Sequence, residues 1–137
     1  MAAFTIVSDT NKTHSTLENL FVFLSDFKNF ASVLPEDKIE NFTYTVSECS
    51  FNIKGITPMT IKKTESNPYE FILFSSEGLA KFNFSLKVFF IGNSSEKGEC
   101  KVELLGDLNP FIRVMAEKQL TALTNTMSLK LSELILD

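Results

Sequence analysis

The sequence predicts an α+β domain in which a long C-terminal amphipathic helix closes over a curved antiparallel sheet. Three observations predict it. Strand-like segments fill the middle of the chain with no helices between them, so the helices are not crossovers of a parallel sheet. Phe82, Phe84, Leu86, Val88 and Phe90 alternate with Lys81, Asn83, Ser85 and Lys87, the mark of a sheet with one packed and one wet face. After Pro110 no Gly or Pro interrupts the chain to Asp137.

Taken in order, Phe4, Ile6 and Ser8 alternate with Thr5 and Val7, which predicts a first strand over residues 3–10. Asn11-Lys12-Thr13-His14 reads as a polar turn. Ser15-Thr16-Leu17-Glu18 fits a capping box, with Ser15 accepting from the backbone of Glu18. Leu17, Leu20, Phe21, Leu24 and Phe27 follow at helical spacing. Asp26 caps a second short helical turn carrying Phe27, Phe30, Val33 and Leu34. Pro35 ends it by forcing Leu34 out of the helical region.

Strands are then expected near 39–48, 50–55, 58–66, 69–76, 79–91 and 98–107, divided by Gly, Pro, Asn and Ser clusters. Cys100, Val102 and Leu104 repeat the alternation against Lys101 and Glu103. Phe71-Ile72-Leu73-Phe74 is apolar on both faces, and no inward set is assigned there. Asn109 is a good N-cap and Pro110 a good first helical residue. Ile112, Met115, Leu120, Leu123, Met127, Leu131 and Leu134 then recur every three to five residues. A helix of ~26 residues would span ~39 Å, and packing on the sheet must hold it. The expectation is one domain over residues 1–137: about seven strands, two short helices after the first strand, and the long helix.

The 137 residues are 44% apolar, enough for one core. Fourteen are Phe and none is Trp. Phe brings apolar area without a polar handle, so this set lines a core or an apolar cavity. The net charge of −4 argues against nucleic acid, which requires a basic footprint. Lys62-Lys63, the one basic pair, reads as a solvated strand end. No apolar run reaches the ~18 residues of a membrane span, and the N-terminus lacks a secretory-signal pattern. Cys49 and Cys100 have no metal-site spacing. They read as buried reduced thiols in a cytoplasmic protein, although the sequence does not give their separation and leaves a disulfide open.

The order of elements, with Leu17–Asp26, Leu34-Pro35, Cys49–Gly55 and Asn109-Pro110-Phe111 through Leu134, resembles the START-like (SRPBCC) superfamily and its helix-grip fold. That superfamily includes pollen-allergen-like carriers and polyketide cyclase-like proteins. The resemblance implies a cavity between sheet and long helix holding a lipid or polyketide-like ligand. Carried onto this chain, the sheet would line it with Phe51, Ile53, Met59, Ile61, Phe82, Phe84 and Leu86. The helix would add Met115, Gln119, Leu123 and Met127. The alternative is that these side chains fill one another's space, as tightly packed interiors do.

Little in the sequence carries catalysis. His14 is the single histidine and reads as a solvated turn residue. There is no nucleophile elbow, no dinucleotide fingerprint and no P-loop. No catalytic residue, metal or cofactor is expected. Tyr44, Gln119 and Asn125 are the groups that would bring polarity to a cavity. Tyr44 shares a face with Phe42 and Val46, and Gln119 lies one turn from both Met115 and Leu123. Three readings stay open. One is a carrier of a small hydrophobic ligand. A second is a polyketide cyclase- or aromatase-like enzyme. The third is a ligand-free interaction domain with an apolar patch near Phe71 to Phe74, which would serve equally as a homodimer contact.

Overall fold

The middle of the chain folds as a meander of antiparallel strands, and the two ends of the chain close it. The computed structural model describes residues 2–53, 58–76, 83–108 and 110–136, except for the side chains at 2, 3, 58, 83, 108, 112 and 115. Strands β1 (Ala2–Val7) and β2 (Asn11–Thr16) precede helix α1 (Leu17–Leu24) and a 3-10 helix (Phe27–Val33). Strands β3 (Ile39–Tyr44), β4 (Glu48–Ile53), β5 (Pro58–Asn67), β6 (Phe71–Ser76), β7 (Asn83–Ile91) and β8 (Lys97–Leu108) follow, then helix α2 (Pro110–Glu133). The strands form one curved antiparallel sheet in the order β1-β8-β7-β6-β5-β4-β3, with β2 also paired to β8. The expected α+β architecture is present.

The N-terminal segment differs from the sequence expectation. Residues 11–14 are not a turn; they form most of β2, a second strand along β8. Val7 pairs with Glu103 and Asn11 with Cys100, so the edge carries one extra residue, a bulge. Ser8 bridges the bulge. Its N–H donates to Val102 O, and its Oγ accepts from Val102 N, both at 2.9 Å. The polar residues of β2 are there for bonding rather than for solvent, as Thr13 and Ser15 are buried. The two short helices therefore follow the second strand.

The capping box is also revised. Thr16, not Ser15, is the N-cap of α1 and accepts from Asn19 N at 3.3 Å. Ser15 is committed elsewhere: its Oγ donates to Leu134 O at 2.7 Å and accepts from Leu136 N at 2.8 Å. Asp26 does cap the 3-10 helix, accepting from Lys28 N at 3.1 Å. Leu34 takes the extended conformation that Pro35 demands.

Strand ends moved where turns outcompete pairing. Thr45-Val46-Ser47 is a turn, closed by Thr45 N donating to Glu48 O at 2.8 Å. It leaves Val46 fully exposed. The β5–β6 link puts Tyr69 at φ +65 after Pro68, with Glu70 N donating to Asn67 O, the form of a type II turn. Lys62 and Lys63 lie within β5 rather than at its end. The expected cap Asn109 is outside the described residues.

The inward rows are now resolved. Ile72 and Phe74 of β6 point in and are buried, while Phe71 and Leu73 are half-buried. The Phe71 ring lies 4.3 Å from Lys87 Nζ, so a lysine stem covers part of that outer face. Phe74 meets Phe30 edge-on at 5.1 Å, which ties the 3-10 helix to the sheet. Gly106 is required by contact, because a Cβ there would sit 2.6 Å from the Phe4 ring.

Helix α2 packs on β8, β2, β1 and the 3-10 helix. Its buried stripe includes three hydroxyls one turn apart, Thr124, Ser128 and Ser132. Thr124 returns its proton to Leu120 O at 2.8 Å. Ser128 Oγ accepts from Asn11 Nδ2 at 2.9 Å and donates to Asp9 O at 3.1 Å, with Cys100 O at 3.4 Å. His14 Nδ1 lies 2.8 Å from Ser132 O. With Ser15 on Leu134, these bonds satisfy carbonyls that a helix end leaves open. Replacing Ser15 with Ala strands buried backbone groups at the end of α2. We expect Ser15→Ala to lower stability by about 1–3 kcal/mol, read as a reduced urea midpoint at unchanged slope.

Candidate functional site

The candidate site is the space between the inner face of the sheet and the flank of α2 that turns away from β2. Alternation along β4, β5 and β7 aims Phe51, Ile53, Met59, Ile61, Phe84 and Leu86 inward. All six are at most 5% exposed and belong to one continuous core. Leu123 and Met127 on α2 join that core at 1% exposure. Phe82 and the side chain of Met115 lie outside the described residues.

Gln119 is half-buried. It sits ~180° around the helix from Ser128, at about 100° per residue. The seam to β2 and β8 therefore uses one flank of α2, and Gln119 occupies the other. Lys130 shares the Gln119 flank, and its Nζ donates to Leu34 O at 2.9 Å. That bond turns the flank toward the segment leading into β3, at the far edge of the sheet. Gln119 Oε1 is buried and has no hydrogen-bond partner. A buried amide oxygen without a donor is costly.

The other polar candidates are elsewhere. Tyr44 is 55% exposed beside the β3–β4 turn, so it brings nothing to the interior. It does share a face with Phe42, whose ring is 6.1 Å away, and pairs with inward-facing Cys49, but it stands at the end of the edge strand, where little covers it. Asn125 is exposed. His14 is an exposed strand residue on the end of α2 rather than a turn residue. The side chains the sequence reading missed are Thr124, Ser128 and Ser132. Their four-residue spacing was visible, but hydroxyls were not counted among the apolar periodic set.

Two hollows bordered by described residues lie away from this space. One of about 400 Å³ runs along α1 beside Glu18, Val22, Asp26 and Leu136. The other, of about 200 Å³, lies at the β3–β4 turn around Tyr44 and Glu48. Both open to solvent.

The two thiols face the interior. Cys49 and Cys100 are free, on β4 and β8. Three strands separate them, so their path along the sheet is roughly 19 Å, beyond disulfide reach. Burial pushes the Cys49 thiol up to about 12, with the nearby charge of Glu48 adding to it. Burial also raises Cys100, to about 11, against an opposing interaction with Ser128.

No family model matches the chain, and no curated protein matches it by sequence. Solved structures do. Norcoclaurine synthase of Thalictrum flavum, as a point mutant in complex with a transition state analogue, superposes with a TM-score of 0.69 at 9% identity. That match covers 96% of this chain and 94% of the other. The chain has the helix-grip fold. The Bacillus cereus protein XoxI has the same fold, at a TM-score of 0.59 and 14% identity over 96% of this chain and 94% of that one. A Deinococcus radiodurans protein matches at 0.56 and 14% identity over 85% and 98%. At these identities the likeness is one of fold, and the helix-grip arrangement puts the long helix and the inner sheet face opposite each other.

The thiols yield a prediction. Unfolded cysteines ionise from near 9, whereas the native ones stay protonated until about 11 to 12. Their contribution to stability is therefore complete below about pH 9 and is lost as pH rises through the native values. At about pH 8 a thiol-reactive chromophore should label neither cysteine in the native protein and both in denaturant. Melting temperature should fall steadily across the alkaline window.

Proposed function

We propose that this chain, as a single domain over residues 1–137, binds a small hydrophobic molecule between the sheet and α2. The carrying observation is the division of α2. Its seam flank is bonded to β2 and β8, while Gln119 lies on the other flank and Leu123 joins the core that the inner sheet face builds. Phe51, Ile53, Met59, Ile61, Phe84 and Leu86 supply that face. Apolar walls with few polar groups are the usual form of a small-molecule site. A solved neighbour of the same fold, norcoclaurine synthase, holds a transition state analogue, which supports use of this architecture for a small molecule.

Binding is favoured over catalysis by the chemistry of the described interior. Its fully buried polar residues are Ser and Thr, already bonded to backbone, and its thiols are held neutral. Neither forms an acid–base pair of the kind proton transfer needs. Two free buried thiols suit a reducing, cytoplasmic setting. Among the described residues no helix is long and apolar enough to cross a membrane.

The test uses N-phenyl-1-naphthylamine, a neutral dye that brightens on entering an apolar site. Titration should give saturable fluorescence at one dye per chain, and native mass spectrometry should show the same stoichiometry. Enhancement that rises linearly without saturation would contradict the proposal.

A further inference from the structure

Gln119 Oε1 is buried and lacks a donor. The buried hydroxyls around it in sequence have no such need. Thr124 and Ser132 return their protons to carbonyls of α2, and Ser128 is bonded to Asn11 and Asp9. Ser8, Thr13 and Ser15 are likewise bonded to backbone groups. The other described buried oxygen without a partner, Asp107 Oδ1, belongs to a different row. Gly106 and Leu104 point inward on β8 and Asp107 alternates with them. Gln119 is therefore the polar group left unsatisfied on the α2 flank opposite the Ser128 seam.

We infer that Gln119 is the specificity-determining residue of the proposed site, and that it selects a neutral hydrophobic ligand carrying a hydroxyl. The inference rests on the proposed binding reading and adds the ligand's polar group. A hydroxyl donates and accepts, so it satisfies the amide in either orientation. A charged head group does not fit. Lys130 on this flank lies about 16 Å farther along α2 and is bonded to Leu34 O, the fully buried polar side chains carry no counter-charge, and an unpaired buried ion is prohibitively costly. A purely apolar ligand would leave the amide as unsatisfied as it is without one. Sites built to hydrogen-bond a hydroxyl reject analogues lacking it, because the site's own polar group is then left unpaired.

The experiment is displacement of N-phenyl-1-naphthylamine by two probes of matched shape, 2-naphthol and 2-methylnaphthalene, on wild-type protein and on Gln119→Met. Met keeps the side-chain length and removes the amide. Wild-type protein should bind 2-naphthol at least about tenfold more tightly than 2-methylnaphthalene, the effect of one satisfied buried group. Gln119→Met should erase that preference by weakening 2-naphthol. Without ligand the variant should melt at or above the wild-type temperature, since an unsatisfied buried oxygen is gone. Equal affinity of the wild type for the two probes overturns the inference and leaves the binding reading standing. So does a preference that survives in the variant, or a lowered melting temperature, which would assign Gln119 a structural partner. Dye binding with no displacement by either probe overturns the inference alone, and failure of saturable dye binding removes both.

Discussion

Ser128 Oγ sits where helix α2 meets the bulged edge of the sheet. It takes a proton from Asn11 Nδ2 and gives its own to Asp9 O, with Cys100 O alongside. The rest of the architecture depends on this contact. A helix can approach a sheet edge this closely only if its facing side chains are small. A small side chain there must also satisfy the backbone it meets. Thr124, Ser128 and Ser132, spaced one turn apart, keep this face small; Ser128 bonds the edge, while Thr124 and Ser132 return their protons to α2 itself. Ser15 and His14 extend the seam past the last turn, where open carbonyls would otherwise need water.

The bulge at Ser8 follows from the same constraint. A straight edge strand would carry β1 onward along β8 and past the helix. The extra residue bends it, and the side chain of Ser8 replaces a backbone acceptor so that Val102 N is not stranded. The bend brings Asp9 and Asn11 within reach of Ser128. The polar run Asn11 to Ser15 thus acts as a fastening surface. With one flank of α2 so held, helical geometry puts Gln119 on the opposite flank.

Much of this was legible in the sequence. Strict alternation in Phe84 to Phe90 and Cys100 to Leu104 defined the inner face of the sheet. Pro110 and the apolar spacing after it defined the long helix, and Asp26 and Pro35 bounded the 3-10 turn. Six of the expected sheet residues and both Leu123 and Met127 are in the core. What was hidden had tertiary causes. Residues 11–14 look like a turn because strand polarity normally means solvent, and their partners on β8 and α2 lie 85 to 118 residues away. Phe71 to Phe74 has no local face preference; the pairing of β6 with β7 decides it, Leu86 lying opposite Phe74. Tyr44 keeps the face of Phe42, as its alternation suggested, but lies exposed because β3 is the edge strand, a place in the sheet that a period-two pattern does not register.

The account holds α2 to be fastened by its C-terminal half. There six described side chains, from Leu123 to Ser132, are buried, whereas Phe111 and Val114 in the first turns are 76% and 80% exposed. Residue-resolved hydrogen exchange along α2 tests this directly, since local opening energies follow buried packing and bonding. Amides from Thr124 to Leu131 should exchange only by global unfolding. Those from Arg113 to Lys118 should exchange at least about tenfold faster and slow when a bound probe occupies the site. Uniform protection along the helix, or greater protection at its N-terminal half, would contradict the account.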